Sequence, residues 1–117
     1  MSGVISFSEN PDEIWLVAGW AFRQIFEDIS ALESDDAEMM KEFEIAEALN
    51  GLHVDKLAPS LKLRTTNSIK RTASDILAGK TRSGIHTKPY GDERTVRHYH
   101  EALRKLLAAI PESRELE

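Results

Sequence analysis

The architecture depends on how one apolar run folds, Ile14-Trp15-Leu16-Val17-Ala18-Gly19-Trp20-Ala21-Phe22. Strong helix-start signals precede it, because Asn10 is a good N-cap and Pro11 suits the first helical position. The acidic pair Asp12 and Glu13 comes next, where it interacts favourably with the positive end of a helix dipole. These signals predict a first helix from Pro11 to Leu32. Its first half is apolar on every side, which predicts burial on most faces or contact with another chain.

The two tryptophans of this run, Trp15 and Trp20, point in different directions on a helix, so at least one is expected near a surface. A surface tryptophan there makes a homodimer one alternative. Because large apolar side chains are mostly buried, placement in the core is the favoured interpretation.

A second helix is predicted from Asp35 or Asp36 to Asn50, where Asn50-Gly51 is a typical stop. Ser34 or Asp35 is the expected cap. Its apolar stripe consists of Met39, Phe43, Ala46 and Leu49. Much of the remaining helix surface carries the glutamates Glu38, Glu42, Glu44 and Glu47.

The third segment leaves two interpretations open. Pro59 suits a helix start, and apolar residues at helical spacing continue to Ala78, with Gly79 as the stop. The run Thr65-Thr66-Asn67-Ser68 consists of poor helix formers. The segment is therefore either one helix or a short helix near 55–63 followed by a longer one near 67–78.

A loop is predicted from Lys80 to Gly91, and a last helix from Asp92 to the stop at Pro111. The helix has a clear apolar seam, Val96, Tyr99, Leu103, Leu106 and Ile110. Together the segments predict an all-α fold, a single compact bundle of four to five helices over residues 1–117. We expect 1–9 and 112–117 to be flexible, and Leu116-Glu117 resembles a pair left by cloning.

Composition limits the class of protein. The chain has 117 residues and is 41% hydrophobic, which fits one globular domain. It has no cysteine, which excludes disulfides and thiolate metal sites and fits a reducing cytoplasm. No signal-peptide pattern is visible, and the longest apolar run is far too short for a bilayer. We therefore expect a cytoplasmic protein, and no pattern predicts a cofactor.

Charge is divided unevenly along the chain. Residues 1–55 hold thirteen acidic and two basic residues, a net charge of −11. Residues 56–117 hold thirteen basic and seven acidic residues, a net charge of +6. Such asymmetry suggests charged partners. Some acidic residues of the first half are expected to pair with basic residues of the second half inside the molecule. Negative charge remains in excess, since the net charge of the chain is −5.

This excess favours a small bacterial-type interaction protein that binds a basic protein partner. We interpret the chain as an immunity protein or antitoxin whose acidic helical face neutralises a basic, nuclease-like toxin. On this interpretation the chain is not an enzyme. The predicted partner-binding residues are the carboxylates around the second helix, Asp35, Asp36, Glu38, Glu42, Glu44 and Glu47.

The basic half supports an alternative, a nucleic-acid-binding regulator. The candidate phosphate-binding residues are Arg71, Lys80, Arg82, Lys88, Arg94 and Arg97. The segment from Glu44 to Gly51 resembles the first helix and turn of a helix-turn-helix. Glu47 stands where that motif usually has a small residue, and Pro59 comes early in its second helix.

A second alternative rests on two residues of the last helix. Arg94 and His100 have five residues between them, and this spacing resembles the arginine–histidine motif of HEPN ribonucleases, which are small helical bundles. The resemblance implies phosphate stabilisation by Arg94 and acid–base cleavage of RNA by His100. Thr95 departs from the polar Asn, Asp or His that commonly follows that arginine.

The histidines do not predict a metal site. His98 and His100 are two residues apart, so they lie on nearly opposite sides of a helix and cannot chelate one ion together. His53 and His86 fall in predicted connecting segments without a second ligand at convincing spacing.

Overall fold

The computed structural model describes residues 2–79 and 93–110, which form a three-stranded mixed sheet and four α-helices. The strands are β1 (Ser2–Ser6), β2 (Ile14–Ala18) and β3 (Gly51–His53). The helices are α1 (Gly19–Glu33), α2 (Ala37–Leu49), α3 (Pro59–Leu77) and α4 (Glu93–Ala109). Short 3₁₀ turns lie at Pro11–Glu13 and Val54–Lys56. The prediction of an all-α bundle is therefore wrong, and the fold is mixed α and β.

The error lies in the apolar run, which is split between β2 and α1. The predicted cap does form, because Asn10 Oδ1 accepts the Asp12 N–H at 3.0 Å, but it starts only a single 3₁₀ turn at Pro11–Glu13. The next residues are aromatic or β-branched and favour a strand when a partner strand is available. β1 provides that partner, within the segment predicted to be flexible. The helix then begins at Gly19 instead of Pro11.

The sheet has the order β2-β1-β3, with β1 antiparallel to β2 and parallel to β3. Ile5 lies opposite both Trp15 and Leu52, and these three side chains form a buried row on the inner face. Because side chains alternate along a strand, the neighbouring row Leu16, Val4 and Gly51 faces outward.

The helices cover the inner face of the sheet. Most of the predicted apolar stripes are confirmed, since Met39, Phe43 and Ala46 of α2 are buried. Leu49 is the exception: it was predicted to complete the α2 stripe but is 73% exposed. In α4 the buried seam consists of Tyr99, Leu103 and Leu106, and Ile110 is buried just after the helix. Val96, which was predicted to begin the seam, is half-buried.

Trp15 belongs to the core, as the favoured interpretation stated, whereas Trp20 packs against the margin of the core. Trp15 is buried, and its Nε1 donates to the Ala102 carbonyl of α4 at 2.8 Å. Trp20 is half-buried, with its ring centroid 6.1 Å from that of Tyr99. Of the two, Trp20 alone keeps part of its surface exposed, and a homodimer contact through it stays a prediction.

The third segment is one helix and not two. Pro59–Leu77 is one continuous helix, and the poor helix formers Thr65, Thr66 and Ser68 are buried within it. Their small side chains suit close packing, so tertiary contacts override weak local propensity. Gly79 follows at φ 81°, the left-handed conformation that a glycine adopts without strain. The predicted loop from Lys80 to Gly91 lies outside the described residues, as does 111–117.

Candidate protein-binding face on helix α2

Helix α2 is held in a defined orientation at both ends. Asp36 caps its start, because its Oδ1 accepts the Met39 N–H at 3.2 Å. Its end is at Asn50, which adopts a left-handed conformation at φ 56°. The buried stripe between these ends fixes which side of α2 faces solvent.

One exposed stripe of α2 combines carboxylates with apolar side chains. Glu38, Glu42, Ile45 and Leu49 follow one another at spacings of four, three and four residues, so they share one side of the helix. Ile45 is 44% exposed and Leu49 is 73% exposed. Protein interfaces commonly join an apolar centre to a polar rim, and this stripe has that composition.

A second part of the face is a cluster of carboxylates that repel one another. Burial raises the pKa of the Glu47 carboxyl, and the charges of Glu27 in α1 and Glu44 raise it further. Arg23 acts in the opposite direction with a smaller effect than Glu27. Within the described residues, neither Glu44 nor Glu47 forms an ion pair. The molecule thus maintains concentrated negative charge here despite an unfavourable self-energy. The two parts lie on different sides of the helix, because Glu47 is two residues from both Ile45 and Leu49. We use the name α2 face for the two parts together, Glu27, Glu38, Glu42, Glu44, Ile45, Glu47 and Leu49.

Other carboxylates of the acidic half are paired with α3. Arg64 Nε donates to Asp36 Oδ2 at 3.0 Å, and Arg64 Nη2 donates to Glu38 Oε1 at 2.8 Å. Arg71 forms an ion pair with Glu33 at the end of α1. The Arg64 guanidinium, with the Met39 N–H, lowers the pKa of Asp36. Some carboxylates of the acidic half are therefore neutralised by arginines of the basic half within the same molecule, as the sequence suggested.

These ion pairs border an open groove of about 440 Å³ between the α1–α2 turn and α3. Its lining consists of Glu33, Asp36, Met39, Arg64, Asn67, Ser68 and Arg71. The two carboxylates and two guanidinium groups pair with each other across the groove. The groove therefore presents no excess charge to a ligand.

The six predicted partner-binding residues do not form one uniform patch. Asp36 caps α2 and forms an ion pair with Arg64. Glu38 forms an ion pair with the same arginine, although its side chain is 72% exposed. Glu42 is half-buried. The remaining three are exposed: Asp35, Glu44 and Glu47.

The sequence prediction missed three members of the α2 face. Ile45 and Leu49 were detectable in part, because they continue the helical spacing of Glu38 and Glu42. Glu27 was not detectable, since only the packing of α1 against α2 brings its charge close to Glu47.

The basic half is only partly visible. Arg71 pairs with Glu33, whereas Arg94 and Arg97 are exposed on α4. Lys80, Arg82 and Lys88 lie outside the described residues. The helix-turn-helix interpretation fails at its turn, because the chain continues from Gly51 into β3 instead of a second helix. Nucleic-acid binding by the exposed arginines stays a prediction.

The ribonuclease alternative also stays a prediction. Arg94 is exposed and His100 is half-buried on α4. Six residues of α-helix place the two side chains about 120° apart, so they do not project from one line on the helix surface.

Residues 2–79 and 93–110 contain neither a candidate metal centre nor a candidate membrane-spanning helix. No group of three His, Cys, Asp or Glu side chains in these ranges is suited to hold a metal ion. His53 Nδ1 instead lies 2.8 Å from Ser6 Oγ in a hydrogen bond. None of the helices in the same ranges has the length and apolar character needed to span a membrane.

Comparison with known proteins adds no relative. No family model, curated protein or solved structure matches this chain. The α2 face itself is therefore the basis for a proposed function.

Proposed function

We propose that the chain is an immunity protein or antitoxin that neutralises a basic, nuclease-like toxin by covering it with the α2 face. The observation that carries this proposal is the cluster of Glu27, Glu44 and Glu47, in which burial, followed by the charges of the two neighbouring glutamates, raises the pKa of Glu47. A protein surface that concentrates like charge loses folding stability unless a partner supplies the opposite charge. A cationic partner fits this requirement.

The exposed apolar residues favour a protein over a small cation. Ile45 and Leu49 lie beside Glu38 and Glu42 on the same side of the helix and present branched side chains to solvent. Burying such side chains at the centre of an interface provides affinity, while the surrounding charges provide orientation and rate. A toxin that grips nucleic acid through Lys and Arg offers both a cationic surface and the apolar stems of those side chains.

The expected mechanism is occlusion of the toxin's phosphate-binding surface. Opposite fields steer the two proteins together at a rate that falls as salt concentration rises. Once bound, the carboxylates pair with the lysines and arginines that otherwise contact nucleic acid. A chain without cysteine suits the reducing cytoplasm, where such a toxin meets nucleic acid.

The test uses the product of the neighbouring gene as the probe, provided that it is a basic protein. Calorimetry measures its affinity for the wild-type chain and for the double variant Glu44→Lys/Glu47→Lys. We expect the variant to bind about a hundredfold more weakly, because it places like charges against the toxin. Co-expression should restore growth with the wild-type chain and fail with the variant.

The matched control is Glu9→Lys/Glu101→Lys, which makes the same change in net charge at two exposed carboxylates outside the α2 face. It should keep nearly full affinity at physiological salt. Equal weakening by both double variants would show that only net charge matters and would contradict the α2 face as the binding surface.

A third variant separates the apolar part of the face from the acidic part. Leu49→Ala should raise the dissociation rate while leaving the salt dependence of binding unchanged, since it alters no charge. An unchanged dissociation rate would place the interface elsewhere on the molecule.

A further inference from the structure

Among residues 2–79 and 93–110, nothing pairs with the backbone groups of Leu16 at the outer edge of β2. On the opposite side of β1, the Val4 N–H donates to the Asn50 carbonyl at 3.2 Å, so it points towards β3 and away from β2. Just beyond the C-terminal end of β1, the Phe7 N–H donates to the Glu13 carbonyl at 2.9 Å, so these two residues form a hydrogen-bonded pair. Because hydrogen-bonded and non-bonded pairs alternate in an antiparallel ladder, Leu16, opposite Val4, directs its N–H and C=O outward.

The side chains at this edge are apolar and exposed. Leu16 is 72% exposed and Ile14 is 37% exposed. No described residue outside the sheet forms a hydrogen bond with the Leu16 backbone.

Natural proteins protect such edges with lysine, proline, bulges or inward charges, because an open strand is a template for pairing. β2 has none of these residues, since its sequence is Ile-Trp-Leu-Val-Ala, and it pairs with β1 without a bulge. An exposed, uncharged edge of this kind is a template on which another strand can pair.

We propose that β2 pairs antiparallel with β2 of a second copy of this chain, around a two-fold axis at Leu16. In that register Leu16 lies opposite Leu16 of the other copy, and each Ile14 lies opposite an Ala18. The Leu16 N–H of each copy donates to the Leu16 carbonyl of the other, which makes one continuous sheet across the dimer. The contact is isologous and closes on itself.

The charges around the strand favour a second copy as the occupant. The chain carries a net charge of −5, yet β2 is uncharged, so two copies meet there without opposing carboxylates within the strands. Antiparallel pairing also places the N-terminal end of β2, which follows Asp12 and Glu13, beside the start of α1 in the other copy. The α1 start has no side-chain cap and no acidic residue in its first turn, so it benefits from nearby negative charge.

The dimer is expected to be weak. The strand has five residues, which places the contact below the roughly 1,200 Å² typical of stable specific interfaces. A dissociation constant on the order of 10 µM is consistent with such an area.

Sedimentation velocity over about a hundredfold range of concentration tests the proposal, because mass action favours the dimer at high concentration. The mass should rise from 13.2 kDa towards twice that value. Leu16→Lys should raise the dissociation constant by about tenfold or more, since it places like charges opposite each other at the axis. The control Leu63→Lys changes a 54% exposed leucine on α3 and should leave the dissociation constant unaltered.

Amide hydrogen exchange gives a second readout that needs no variant. The amides of Trp15 and Val17 point into the sheet and should be protected at every concentration, whereas the Leu16 amide should gain protection only as the dimer forms. A wild-type chain that stays monomeric, with a fast Leu16 amide throughout, would overturn the proposal and leave the edge to a strand of another protein. A dimer unaffected by Leu16→Lys would also overturn it. Either result would leave the α2 face proposal untouched.

Discussion

The hydroxyl of Tyr99 in α4 donates a 2.7 Å hydrogen bond to Asp28 Oδ2 in α1, and both residues are buried. Gln24 Nε2, one turn earlier in α1, donates to the other carboxylate oxygen at 3.0 Å. A buried carboxylate is tolerated only when its oxygens accept such bonds. The pair therefore connects α4 to α1, just as the hydrogen bond from Trp15 to the Ala102 carbonyl connects α4 to β2.

Tyr99→Phe should reduce the free energy of unfolding by about 1–3 kcal/mol, because it removes a donor from a buried carboxylate while keeping the ring. Denaturant unfolding measures the change as a shift in midpoint. A double-mutant cycle with Asp28→Asn isolates the interaction. Additive effects of the two substitutions would show that the hydrogen bond has no energetic role.

Gly3→Ala should destabilise the protein by about 1–3 kcal/mol, because an added methyl group overpacks the core. A Cβ atom at Gly3 would lie 2.2 Å from Phe22 Cγ, and Phe22 is fully buried. Gly51→Ala is the comparison, since its Cβ would approach Val4 Cγ1 only to 3.1 Å. Thermal unfolding should give a larger loss for Gly3→Ala than for Gly51→Ala, and the reverse order would contradict the packing described for β1.

The ion pair of Asp36 with Arg64 predicts a loss of stability in acid. The Arg64 guanidinium and the Met39 N–H hold the folded-state pKa of Asp36 below its ordinary value of 3.8. The contribution is therefore fully present above that pH and is lost as the pH falls through the folded-state value.

Asp36→Asn keeps a capping side chain but removes the charge, so it should flatten the pH dependence of stability below about pH 4. Asp36→Ala should in addition cost about 1 kcal/mol at neutral pH through loss of the α2 cap. Unfolding curves recorded from neutral pH downward measure both effects. An unchanged acid slope in Asp36→Asn would mean that this carboxylate does not link protonation to folding.

Glu47→Gln should stabilise the folded chain while weakening partner binding. Burial and the neighbouring glutamates raise the pKa of Glu47, so its ionised form disfavours the folded state above that pKa. Removing the charge should raise the free energy of unfolding at neutral pH by about 0.3 kcal/mol, the usual size of a like-charge pair on a helix. The gain should shrink with added salt.

The same variant should bind the toxin more weakly in the calorimetric titration. Opposite signs for stability and binding are typical of residues retained for function. Glu101→Gln on α4 should change neither quantity appreciably. If the variant were stabilised but bound with undiminished affinity, Glu47 would not contribute to binding. The electrostatic repulsion at Glu47 would still be confirmed by the gain in stability.

Local patterns in the sequence were sufficient to predict α2 and α4 as helices. Asn50 was recognisable as the stop of α2, because a left-handed stop depends on a few neighbouring residues, whereas the cap is Asp36 and not the predicted Ser34 or Asp35. The α4 seam of Tyr99, Leu103 and Leu106 was predictable because a 3.6-residue period needs no distant partner. The charge division, too, is a property of the sequence alone.

Only the tertiary structure decided the conformation of Ile14–Ala18 and the composition of the α2 face. An apolar run has no period that separates a buried helix from a strand, and the backbone hydrogen bonds that make β2 a strand come from β1. Likewise, the sequence placed carboxylates on α2, but packing determined which charges act on them. Asp36 forms an ion pair with Arg64, whereas the negative charge of Glu27 acts on Glu47. Hydrogen bonds and charges between distant segments have no local signature, so they become visible only when the chain is folded.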